Sequence, residues 1–374
     1  MNTRSLTVLA VLTAAVVAAA FVSHARRGGG ASGDDTTGRP LFPGLDERIN
    51  EVEIVRIESG GEAVSIRRRD GQWIVEPLDG YPAKFEEVKS LVMSVAGLEI
   101  AERKTADPTR HPRLGLEPPG EDRPSRLVSL GDGTGAKVAA VIIGSGAEAG
   151  GRNGLVYARR ADEDQTWLVR GRVEALTDPM RWVDANIVSI PRARVKTVMI
   201  AHTDGERVTI ARPDATTADF TLQDLPKDMT PGTATQINAI ADGLSFLRME
   251  GVRAAGDGQP DPDETVTATF ETFDGLIVEV RTWQVEGTIR AALSARASRG
   301  ESNEDSTDEG DVGKEAEDLS ARLDGWIYDL PRFAGDRLRR RLADVAHRAE
   351  AQESIPDTAD DEPAAPWERP VGGE

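Results

Sequence analysis

The soluble part of this chain is written twice. Val52-x-Ile54 leads to Gly61-Glu62-x-Val64-x-Ile66-x-Arg68, and Val198-x-Ile200 leads to Gly205-Glu206-x-Val208-x-Ile210-x-Arg212. The leading pairs lie 146 residues apart and the following ones 144, which puts a two-residue difference in one turn. Farther on, Val88, Leu91, Val92, Val95 and Leu98 align with Ile237, Ile240, Ala241, Leu244 and Leu247 at a constant 149. Trp167-Leu168-Val169 is answered late in the chain by Trp326-Ile327-Tyr328. Such a duplication requires two similar lobes and creates the option of a cleft between them. It dictates no chemistry.

Within the first copy, Val52–Glu58 and Ala63–Arg69 alternate apolar and polar residues about Ser59-Gly60-Gly61, a hairpin pattern. Asp70-Gly71 turns the chain again into a strand carrying Trp73 and Val75. Apolar residues at 88, 91, 92 and 95 predict a helix starting near Pro82. Further strands are expected at 126–130, 137–143, 155–160 and 166–169, then a closing helix over 172–184 interrupted near Pro179. The second copy repeats this order with strands at 266–270, 277–280, 289–295 and 325–328, and a helix over 332–350. The strand connections are too short for parallel crossovers. The expected class is therefore α+β: an N-terminal transmembrane helix followed by two duplicated lobes of antiparallel sheet with packed helices.

Charge separates the body from its appendages. The net charge is −19, but residues 300–318 hold nine acids against one Lys, and residues 349–374 hold eight against one Arg. These two stretches supply 15 of the excess negative charges and leave the remainder nearly neutral. Both are expected to be disordered through self-repulsion. Nucleic acid is not an expected partner, because phosphate binding needs a basic face. The chain has no cysteine, so disulfides, thiolate metal sites and a lipidated cysteine anchor are excluded. Leu6–Val22 is an uncharged apolar run of 17 residues, read as an uncleaved membrane anchor, with a cleavable signal ending near Ala18-Ala19-Ala20 as the rival reading. Either way the body is exported, with the periplasmic side of a bacterial inner membrane as the expected location. The organisation expected is an anchor over 1–25, a flexible tether over 26–40, a first repeat over 41–190, a second over 191–348, and an acidic tail over 349–374.

Candidate sites are sparse. Gly144-x-Gly146-x-x-Ala149 fits a dinucleotide fingerprint in form, but the glycine-rich run leads into another strand, so no helix N-terminus receives a pyrophosphate. His111 and His202 are isolated, with His202 expected on the surface at a turn, and no metal or other cofactor is expected. No Gly-x-Ser-x-Gly elbow and no calcium-loop spacing occur. A glycosidase's carboxylates need only meet in space, so spacing alone does not dispose of that chemistry. Lys104, Arg110, His111 and Arg113 form the densest cationic stretch, suited either to holding an anion or to serving as a connector stiffened by Pro108 and Pro112. Trp73, Trp167 and Trp326 occupy strand positions and read as core.

A set of short strings carries a family resemblance. The apolar N-terminal segment is followed by Leu41-Phe42-Pro43-Gly44-Leu45 and Ile49-Asn50, then Gly61-Glu62-x-Val64 with Asp70-Gly71-x-Trp73. Gly80-Tyr81-Pro82-Ala83 comes next, and Lys104-Thr105 precedes Arg113-Leu114-Gly115-Leu116 and Pro118. This resembles the bacterial domain-of-unknown-function family 4340, best over residues 41–190. The resemblance implies a membrane-anchored envelope protein associated with ABC-type exporters, and it brings no catalytic residues. The leading expectation is a non-enzymatic auxiliary or scaffold of an ABC-type transport complex. An envelope glycan- or lipid-binding protein using a cleft between the lobes is the alternative, and an envelope hydrolase the third.

Overall fold

The computed structural model describes residues 36–144, 154–256, 264–298 and 309–348. The period-two pattern becomes β1 (Ile54–Ser59) and β2 (Glu62–Arg69), with Val55, Ile57, Val64 and Ile66 fully buried. Asp70 and Gly71 both adopt positive φ, the two-residue turn that matches strand twist, and deliver β3 (Gln72–Val75) and the short β4 (Tyr81–Pro82). After α1 (Leu45–Arg48), the first long helix is α2 (Phe85–Ala96). Glu86 and Glu87 favour its positive N-terminus, and Gly97 ends it. Val88, Leu91, Val92 and Val95 form its buried stripe.

This helix carries the chain to the far edge of the sheet. β5 (Glu99–Arg103) follows it, and the sheet is then completed by β6 (Arg126–Gly131), β7 (Lys137–Ile143), β8 (Leu155–Arg160) and β9 (Thr166–Arg170). The order is β4-β3-β2-β1-β6-β7-β8-β9-β5, antiparallel throughout. A second sheet follows from β11 (Val195–Ala201), β12 (Arg207–Ala211), β13 (Thr221–Leu222), β16 (Gly251–Ala254), β17 (Val266–Thr272), β18 (Leu276–Val285), β19 (Thr288–Ala297) and β20 (Trp326–Leu330). Its order is β13-β12-β11-β17-β18-β19-β20-β16, the first sheet strand for strand without the small β4. The helix between β13 and β16 is α4 (Ala234–Ala241), opened by a Thr233–Gln236 capping box.

The hairpin registers correct the repeat alignment. Ile57 pairs with Val64, and Ile200 with Val208. The true counterpart of Val198-x-Ile200 is therefore Val55-x-Ile57, three residues later than the apolar spelling Val52-x-Ile54 indicates. Val52 is itself buried, which is why it imitates the strand residue.

The halves are tied together across their connector. Lys84 N–H donates to the Trp182 carbonyl at 2.7 Å, anchoring the connector to the first half. β10 (Asn186–Val188) then pairs with β15 (Leu247–Arg248) of the second half. Tyr81 on β4 meets Trp326 edge-to-face at 4.8 Å and Tyr328 at 6.3 Å, both on β20. Asp79 accepts from the Ala254 N–H at 3.1 Å across the same junction. One continuous apolar core runs through both halves.

Several expectations are corrected. Residues 172–184 do not form a helix: Val173 and Ala175 are buried in alternation with exposed Glu174, an extended pattern, and only Pro179–Trp182 winds into a 3-10 turn. The acidic stretch is helical from Glu309: α5 (Glu309–Leu323) buries Val312, Ala316 and Leu323, while Glu315 accepts from Arg194 at 2.7 Å. The C-terminal helix breaks into α6 (Arg332–Leu338), α7 (Leu342–Val345) and β21 (Ala346–Arg348), which pairs with β14 (Met229–Pro231). At the break Arg339 donates to the Thr282 carbonyl at 2.8 Å and Arg341 to Glu206 at 2.7 Å. At the other end, Gly38 and Leu41 hydrogen-bond along β5, so the tether is fastened before residue 40. The apolar run Leu6–Val22, residues 145–153, 299–308 and the tail 349–374 lie outside the described residues. Among the described residues, no helix is long and apolar enough to cross a membrane.

The Tyr81 junction makes two testable statements. Truncation by Tyr81→Ala should cost about 3–5 kcal/mol and split calorimetric unfolding into two transitions. Burial, and then the facing Tyr81 phenol, hold the Tyr328 hydroxyl well above its ordinary range. A folded-state value above the unfolded one leaves stability intact below pH of about 10 and erodes it as pH rises further. Denaturant titrations at rising pH should show that loss, and Tyr328→Phe should reduce it.

Candidate binding groove

The cationic stretch singled out in the sequence is a connector. His111 opens α3 (His111–Leu114), is buried, and places Nε2 2.9 Å from the Asp164 carbonyl, which pins the segment to the β8–β9 turn. Lys104 pairs with Glu102 at 2.7 Å and Arg110 with Asp107 at 3.5 Å, whereas Arg113 points to solvent. The three cations share no partner. His202 is buried, against expectation, with Nε2 3.2 Å from the Arg340 carbonyl, because the C-terminal arginine segment folds over its turn. Trp73 and Trp167 are in the core, and Trp326 is half-buried at the junction.

A groove that the sequence did not mark lies elsewhere, between α2 and the β2–β3 hairpin. It measures about 310 Å³, is floored by Trp73, Val88 and Val92, and is flanked by Arg68, Lys89 and the 3-10 turn Ile49–Glu51. Phe85 and Met93 stand at its rim, 55% and 49% exposed, in line with Lys89 at four-residue spacing. Lys89 sits 5.8 Å above the Phe85 ring and pairs loosely with Glu86 at 3.3 Å. Arg68 is exposed, with no side-chain partner among the described residues.

The second copy shows the same place closed. Arg68 lies opposite Trp73, and continuing the β12–β13 register by one step sets Arg212 opposite Phe220. Arg212 is 6% exposed, sandwiched between the Phe220 and Phe273 rings at 5.1 and 5.0 Å. Its guanidinium donates to the Val195 carbonyl at 2.9 Å, to Thr217 at 2.8 Å and to Ala193. The Thr217 contact belongs to the loop 213–219, whose counterpart in the first copy is the four-residue stretch Arg69–Gln72. The position of Lys89 is taken by Asn238, which accepts from Phe220 N–H at 2.9 Å and donates to Asp219 at 2.7 Å. The longer loop thus fills in the second copy what the tight turn leaves open in the first.

Other polar groups serve the fold. Arg159 donates to the carbonyls of Leu116, Ala161 and Glu163. Asp107, Asp204 and Asp214 are pulled below the usual carboxylate range, by the Thr109 hydroxyl, the Glu206 N–H and the Thr216 hydroxyl respectively, which keeps them acceptors of turn hydrogen bonds. No cluster of His, Asp and Glu suited to a metal ion occurs among the described residues.

Residues 73–269, more than half of the sequence, match the family described as Domain of unknown function (DUF4340). The chain belongs to this family. The matched stretch starts at Trp73 in the groove floor and ends in β17, so it spans parts of both copies rather than one of them. No curated protein matches this DUF4340 member.

The two equivalent arginines of this DUF4340 chain should behave oppositely on truncation. Arg212→Ala strands several buried carbonyls and should cost about 3 kcal/mol, whereas Arg68→Ala should stay within about 0.5 kcal/mol. Paired urea denaturation curves measure both.

Proposed function

We propose that this DUF4340 protein is a non-enzymatic auxiliary of an ABC-type transport assembly in the bacterial envelope. Its apolar N-terminal run holds it at the inner membrane, and the duplicated body stands on the periplasmic side as a scaffold. The observation that carries this reading is a two-sheet body, joined across its halves, with aromatic rings left facing outward on its second half. Phe246 is 82% exposed and Phe333 69%. The elements bearing them are joined by Arg337, which donates to the Asp242 carbonyl at 3.3 Å. Exposed aromatic side chains on a fixed frame are the residues that anchor protein–protein contacts.

The binding alternative takes a different place from the one expected. A glycan or lipid between the lobes would have to enter the junction that Tyr81, Trp326 and Tyr328 fill. The α2 groove, enclosed within the first half, is the better receptacle for an amphipathic molecule.

In-cell crosslinking of the full-length tagged protein, followed by mild-detergent purification and mass spectrometry, separates these readings. Recovery of a permease or ATPase in stoichiometric amount is the expected result, with Phe246→Asp and Phe333→Asp together lowering recovery about tenfold, as loss of an aromatic anchor worth over 1 kcal/mol would. Recovery of the protein alone with an unchanged variant would overturn the auxiliary reading.

A further inference from the structure

The two copies of the repeat differ at one site in a way that identifies what the open one lacks. In the second copy, Arg212 donates to the Ala215 and Thr217 carbonyls of a loop that folds over it and to the Arg192, Ala193 and Val195 carbonyls at the start of β11, and the Phe273 ring stacks on its face. In the first copy, the equivalent Arg68 has the same helix beside it and an aromatic floor in Trp73, but no covering loop. What the first copy lacks is therefore a covering segment with acceptor oxygens and, in place of Phe273, an aromatic ring. Charge narrows it further. Arg67, Arg68 and Arg69 make β2 a basic run in a strongly acidic protein, and Lys89 adds a fourth cation across the groove. Arg67 is engaged by Glu76 at 2.9 Å, which leaves Arg68 and Lys89 at the mouth.

A segment with that composition exists in this chain. Residues 349–374 carry eight acids against one Arg, and Trp367 follows the run Asp360-Asp361-Glu362 with Glu368 beside it. The body ends at Arg348 on β21, 19 residues before Trp367, a span that reaches on the order of 60 Å when extended. We propose that the acidic C-terminal tail docks in the α2 groove of its own chain, with Trp367 on the Trp73–Phe85–Met93 surface and its carboxylates on Arg68 and Lys89. The tail supplies to the first copy what the loop 213–219 and Phe273 supply to the second. Tethering makes the encounter intramolecular, so weak contacts suffice to keep the groove occupied. A partner that needs the groove has to displace the tail.

The test uses the full-length chain in detergent with a benzophenone amino acid at position 367. Photolysis should give an intramolecular crosslink mapping to Phe85, Lys89, Met93 or the β2–β3 hairpin. Arg68→Glu with Lys89→Glu should lower its yield about fivefold or more, high salt should lower it too, and changing Asp360, Asp361 and Glu362 to Lys in that variant should restore it. Phe85→Ser, an exposed change with the same expected loss, keeps the test intact if the double reversal fails to fold. Crosslinks elsewhere on the body, to detergent or lipid, or between two chains only would overturn the proposal. So would a yield indifferent to all of these substitutions.

Discussion

An open sheet leaves two edges of unpaired backbone groups, and covering them governs how this molecule is put together. In each copy one helix decides which strands become those edges. The chain leaves the sheet at the β3 or β13 side, crosses by α2 or α4, and returns as β5 or β16 at the opposite end. That return fixes where everything else lies. It makes β16 the outermost strand of the second sheet, where its Ala254 N–H meets Asp79 beside β4, the outermost strand of the first. The two edges are thus covered by each other, and Tyr81 is the wedge that holds them together. A rigid body follows from the same fact, since parting the halves would expose both strands and three aromatic rings at once.

Because the crossing helix is packed through Val88, Leu91, Val92 and Val95, its adjoining face is free to vary. On that face the copies have diverged. The site beside the helix has one architecture and two outcomes, decided by the length of one connection. Three additional residues between Arg212 and Phe220 let the loop turn its carbonyls onto the guanidinium. The two-residue turn at Asp70-Gly71 cannot reach. A buried arginine surrounded by oxygens stiffens the second half, while the same residue in the first is left for something outside the sheet to satisfy.

How legible this was depends on the kind of interaction. Alternation made β1 and β2 readable, and the apolar stripe made α2 readable, because burial on one face leaves its period in the residues. The duplication was readable for the same reason, although Val52 imitated Val55 and displaced the repeat alignment by three residues at the first strand. Residues 309–318 were misread because their acids outnumber the apolar positions at 312 and 316 that, with Leu323 beyond, pin the helix to its sheet. The break before Arg341 could not be read because the long-range guanidinium bond there leaves no pattern in sequence. The groove was invisible for a stronger reason. Arg68 and Arg212 stand in the same motif with the same neighbours at alternate positions, and the loop carbonyls that separate their fates come from residues of no particular type.

Charge distribution carries the argument one step beyond geometry. With the two acidic stretches set aside the protein is close to neutral, so nothing in its mean charge calls for three consecutive arginines on a strand beside an edge. In the second copy the corresponding stretch is Ala211-Arg212-Pro213, with its lone cation buried. Exposed positive charge has therefore been kept on the open copy and withdrawn from the closed one, on the same scaffold position. A repeat that needed its arginine only for folding would show the second arrangement twice. The difference makes sense where one copy bears the structural load and the other has an acidic segment to receive.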